Sequence, residues 1–79
     1  MPYIAPERRA SAKAHPYDAG ELNFAITQLL IDYLARTHVS YAAFNEVVGV
    51  LECCKLELYR RLVVPYEDTK IRLNGDVYV

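Results

Sequence analysis

The sequence predicts an all-α protein: an antiparallel helical hairpin with a short N-terminal arm, assembled into a homo-oligomer. Apolar residues recur at three- and four-residue spacing over residues 18–37 and again over 40–64, which is the period of one face of a helix. The link between these stretches, Thr37-His38-Val39-Ser40, is short, and short links favour antiparallel neighbours. The third observation is size. A chain of 79 residues near this domain size buries only about 60% of the surface its unfolded form exposes, so it needs a staple or a partner. Cys53 and Cys54 are the only cysteines and are adjacent; on a helix they point about 100° apart, poorly placed to bridge one another. Association with copies of itself supplies the burial instead.

Residues 1–17 read as an arm. Pro6-Glu7-Arg8-Arg9-Ala10 could open a short helix, with proline at its first position and an acid in its first turn, but alanine is its only apolar content. His15-Pro16-Tyr17 breaks it. Asp18-Ala19-Gly20-Glu21 then has the form of a helix start, Asp18 capping and Glu21 reaching back from three positions on. In the helix of residues 18–37, Leu22, Ile26, Leu29, Leu30, Tyr33 and Leu34 make one stripe over about 27 Å, widened by Phe24 and Ile31.

In the long helix of residues 40–64, Phe44, Val47, Val48, Leu51, Cys54, Leu58 and Leu62 form the seam expected to face the first helix. Val50, Cys53, Leu56 and Val63 lie away from part of that seam and need other cover; together with Val47 and Gly49 they form the expected oligomer interface. Gly49 costs the helix roughly 1 kcal/mol relative to alanine. Either a second backbone approaches there or the site is simply permissive. Pro65 is expected to stop or sharply kink this helix, because its ring blocks the preceding turn and removes a donor. Residues 65–79 admit two forms. One is a short helix opened by Pro65-Tyr66-Glu67-Asp68 and capped by Gly75. The other is a hairpin around Asn74-Gly75. The helix is preferred, since an isolated two-stranded hairpin is marginal in water, with Val77-Tyr78-Val79 extended beyond it.

A net charge of −1 with 24% charged residues argues against a nucleic-acid binder, because Arg8, Arg9, Lys13, Arg60 and Arg61 make a weak phosphate footprint against ten acids. The start Met1-Pro2-Tyr3-Ile4 has no apolar leader region and Val47–Leu51 is far too short to span a membrane, so a cytoplasmic protein is expected, without a membrane role. Catalysis is not expected. Cys53 and Cys54 lack a nucleophile signature, His15 and His38 read as loop residues, no metal spacing exists, and the three glycines are too dispersed for a phosphate loop. No cofactor is called for.

The candidate ligand site lies late in the long helix. Glu52, Lys55 and Tyr59 share a face at three- and four-residue spacing, where an aromatic ring can lie beside a cation. Arg60 and Arg61 add planar donors suited to phosphate or carboxylate, diverging by about 100°. The plainer reading is a set of Glu-to-Lys and Glu-to-Arg helix pairs, with cations favoured near a helix C-terminus. Asn45 is either a buried device fixing register or a ligand amide, and Arg8 and Arg9 complete the candidate set from the arm.

Met1-Pro2-Tyr3-Ile4, Gly20-Glu21-Leu22-Asn23, Ala25-Ile26-Thr27, Asn45-Glu46-Val47, Gly49, Leu51-Glu52, Lys55-Leu56-Glu57, Tyr59-Arg60-Arg61, Pro65-Tyr66-Glu67-Asp68, Lys70-Ile71 and Asn74-Gly75-Asp76-Val77-Tyr78 resemble the pattern of a small phage and bacterial family known only as a domain of unknown function. That resemblance implies a phage or mobile-element setting, in the cytoplasm of a bacterial host cell, and brings no activity. In size, hairpin and Arg-bearing second helix, the chain is also similar in architecture to phage helical-hairpin oligomers that sequester cyclic nucleotides without cleaving them. This analogy of fold implies capture of an anionic, nucleotide-like molecule at subunit junctions. The rival expectation is a protein partner, host or phage, seated on the apolar stripe of the second helix.

Overall fold

The computed structural model describes all residues 1–79 and is helical throughout, with no strand. A 3₁₀ turn (Pro6–Arg8) leads into α1 (Arg9–Ala14), followed by α2 (Ala19–Arg36), α3 (Tyr41–Leu58), a π turn (Tyr59–Val63) and α4 (Val64–Asn74). The chain divides into two compact units, Met1–Phe44 and Asn45–Val79. The all-α class read from the periodicities is the observed one.

In the first unit, α1 packs along α2, so the expected arm is partly a helix with a partner. Its fixed points are Ala12, fully buried on α1, and Ile4, buried in the segment before it. The start of α2 is capped as expected: Asp18 Oδ1 accepts from the Glu21 backbone N–H at 2.8 Å. Glu21 reaches back one residue further than a standard capping box, its Oε1 accepting from the Tyr17 N–H at 3.1 Å. Gly20 is required here by contact rather than by backbone angle. A Cβ at this position would stand 2.9 Å from the Met1 carbonyl oxygen and 3.6 Å from Ile4 Cγ2. The segment Met1–Ile4 thus lies against the first turn of α2, and a side chain at residue 20 would push it off.

The second unit is one helical rod interrupted by the π turn. The first turn of α3 belongs to the first unit, where Ser40 caps the helix, its Oγ accepting from the Ala43 N–H at 3.1 Å. Pro65 does not end the helix. It occupies one of the first two positions of α4, and the π turn before it is the reason the chain tolerates it there. The Val64 N–H bonds to the Tyr59 carbonyl, five residues back, so the turn holds one residue more than an α-turn. That extra residue shifts the preceding carbonyls away from the proline ring that would otherwise clash with them. The helix then runs to Asn74, where Gly75, at φ 82°, donates to the Ile71 carbonyl in a conformation that favours glycine. The tail takes its helical form, and of the two effects expected of Pro65 the stop is corrected: the ladder continues past it through a π turn.

Apolar burial is sparse. Ile4, Ala12 and Val47 are the buried apolar residues. Among those expected to form the hairpin seam, Leu30 and Leu34 are half-buried, whereas Leu22, Leu29, Phe44, Val48, Leu51, Leu58 and Leu62 are exposed.

Candidate functional site

Arg8 and Arg9 come from the 3₁₀ turn and the start of α1. Arg8 is already engaged. Its Nε donates to Glu21 Oε2 at 2.7 Å, and its Nη2 donates to Asp18 Oδ2 at 2.5 Å and to Glu21 Oε2. Glu21 is only 5% exposed, and a buried carboxylate demands a charged partner. Arg8 supplies it while keeping part of its own side chain in water. Hydrogen bonds from Arg8 to Glu21 first, then Asp18, raise its pKa above the ordinary arginine value. The Glu21 backbone N–H first, then Arg8, hold the Asp18 carboxyl below the usual carboxylate range. This clasp ties the segment before α1 to the first turn of α2. Arg9 lies beside it, its Nε 3.4 Å from the Ile4 carbonyl.

The second group is carried by α3 and the π turn. Lys55 Nζ is 3.0 Å from Glu52 Oε1. Arg60 Nη2 and Arg61 Nε both donate to Glu57 Oε1, at 3.2 and 2.8 Å. The two guanidinium groups, which helix geometry alone would separate, meet on one carboxylate oxygen. Glu57 is the residue the sequence argument left out of the site, although its three- and four-residue spacing to the arginines was a usable signal. All these side chains are exposed, and such pairs contribute little to stability.

Tyr59 takes a different partner from the one expected. Its hydroxyl donates to Glu67 Oε1 at 3.0 Å, which holds the phenol in its protonated form and raises its pKa. A cation over an aromatic ring is found two turns further on, with Lys70 Nζ 5.5 Å from the Tyr66 centroid. Asn45 is exposed on α3. Of the expected interface row, Val47 is buried, Val63 is half-buried and Gly49, Val50, Cys53 and Leu56 are exposed. Nothing lies within 4 Å of the place a Gly49 Cβ would take.

The surface carries shallow open recesses. One of about 320 Å³ follows the end of α4, bounded by Glu67, Lys70, Ile71, Asn74 and Tyr78, and a smaller one of about 100 Å³ lies by Lys13, Gln28 and Asp32. Neither involves Lys55, Arg60 or Arg61. No group of three His, Cys, Asp or Glu side chains could hold a metal ion, and no helix is long and apolar enough to cross a membrane.

The chain belongs to the family described as a domain of unknown function (DUF6899), whose model matches residues 1–77. No curated protein and no solved structure matches it.

Proposed function

We propose that this member of the family is a non-catalytic binding protein that associates with copies of itself through the apolar face of α3. The observation that supports this is the exposed seam in the second unit: Leu51, Leu58 and Leu62 stand open to solvent on a helix that has no second layer within that unit. Burying each of these leucines would contribute roughly 1.5–3 kcal/mol, a strong drive toward a partner helix. Sedimentation velocity across a range of protein concentrations tests the reading. The expected result is an oligomer that Leu51→Asp converts to a monomer with its helix content retained. A wild-type chain that sediments as a monomer at every concentration overturns it.

A second reading adds a ligand. Because Arg60 and Arg61 converge on one oxygen of Glu57, the same pair can converge on an oxygen of phosphate once Glu57 turns away, giving a forked anion site. Repeated by symmetry at subunit junctions, with Lys55 nearby in sequence, such sites suit a nucleotide-type signalling molecule. In a phage counter-defence setting, capture without cleavage would act stoichiometrically, so slow release would matter more than turnover. Native mass spectrometry with a panel of cyclic and linear nucleotides tests this. Unmodified nucleotide bound by wild type and lost in the Arg60→Ala, Arg61→Ala double variant is the expected result. An oligomer that gains no nucleotide mass leaves a protein partner as the occupant.

A further inference from the structure

We infer that the self-association surface does not end at Pro65 but continues through the π turn to Leu73, so that a second copy of this chain is gripped along both α3 and α4. The inference rests on the self-association reading and deepens it. In the second unit the seam runs Val47, Leu51, Cys54, Leu58 at four- and three-residue steps, a heptad-like stripe. Continued without interruption, that period would next present Arg61, Pro65, Asp68 and Arg72, which is no apolar surface. The π turn changes the count. One inserted residue sets every position beyond it back by about 100°, and past Leu62, which lies within the turn, the stripe becomes Tyr66, Thr69 and Leu73. Leu62, Tyr66 and Leu73 are exposed and Leu73 is 71% open to solvent.

Two contacts report the same shift. The Val64 N–H reaches the Tyr59 carbonyl five residues back, and the Tyr59 hydroxyl reaches Glu67 eight residues on, whereas two α-turns span about 7.2 residues. Glu67 therefore stands where the seventh residue of an uninterrupted helix would stand. The area also suits a second copy. Leu51, Leu58, Leu62, Tyr66 and Leu73, flanked by Val48 and Val50, offer at most about 700 Å² of exposed surface per copy, close to the area of about 800 Å² that each partner contributes to a stable specific interface. The part before the π turn supplies only about half of that.

Four single variants, compared with Leu51→Asp and checked for retained helix by circular dichroism, separate the possibilities by sedimentation velocity. Tyr66→Asp and Leu73→Asp are expected to shift the oligomer to monomer, while Ile71→Asp, on the far side of the shifted stripe, and Arg72→Asp leave its mass unchanged. If Leu51→Asp dissociates the protein and Leu73→Asp and Tyr66→Asp do not, the surface stops at the π turn. The inference then falls while self-association stands. Dissociation by Arg72→Asp with Leu73→Asp intact would show the uninterrupted phase and overturn it equally. A monomeric wild-type chain removes both.

Discussion

Gly49→Ala separates a seam-mediated assembly from one in which a second backbone lies against the glycine. Gly49 is in the interior of α3, and an added Cβ meets nothing within 4 Å. On a helix wheel it sits about 180° from the centre of the Val47, Leu51 and Leu58 face. The substitution therefore brings the helix-propensity difference with no clash to offset it, a stabilisation of about 0.8–1 kcal/mol. For a chain of this size that raises the melting temperature by roughly 4–8 °C. Thermal unfolding followed by far-ultraviolet circular dichroism, at two protein concentrations, measures it, with sedimentation velocity confirming that the oligomer is unchanged. A lower melting temperature, or a weakened oligomer, would refute the reasoning, because it would require a backbone to pack against residue 49 in the assembly.

Gly20→Ala should act in the opposite sense. Its Cβ would press to 2.9 Å from the Met1 carbonyl, displacing the segment that buries Ile4, and a net loss of about 1 kcal/mol is expected in denaturant unfolding after the helix-propensity gain. Because Asp18 titrates below its ordinary range in the folded chain, its contribution is complete above the unfolded value of about pH 4 and disappears as the pH falls through the lower folded value. Acid unfolding of wild type should therefore steepen in that window, and Asp18→Asn should flatten it. The raised pKa of Tyr59 has the reverse sign: its bond to Glu67 is intact below the unfolded tyrosine value of about pH 10 and is lost as the pH rises through the higher folded value. In a spectrophotometric titration, Glu67→Gln should move the Tyr59 phenol back toward the ordinary tyrosine range.

The cap at Asp18 and Glu21, the start of α2 and the Gly75 terminus were legible because each is a local event, decided by residues within one turn. The passage through Pro65 was not. Proline's effect on its own helix is local, but whether the chain stops or inserts a residue depends on what the next ten residues can continue as, and Tyr66, Lys70, Leu73 and Gly75 continue as a helix. The Arg8 clasp was hidden for another reason. Arg8 looked free because its partners Asp18 and Glu21 lie ten and thirteen residues on, across the His15-Pro16-Tyr17 bend, and only the packing of α1 on α2 brings them together. Tyr59 was hidden in the same way, because Glu67 becomes its neighbour only when the extra residue is counted.

The π turn also fixes the phase of α4 relative to α3 through one extra residue. Deleting one residue between Tyr59 and Val63 would leave composition and helix content almost untouched while turning the eleven residues of α4 by about 100°. Asp68 and Arg72 would swing to the front, and Tyr66 and Leu73 to the side.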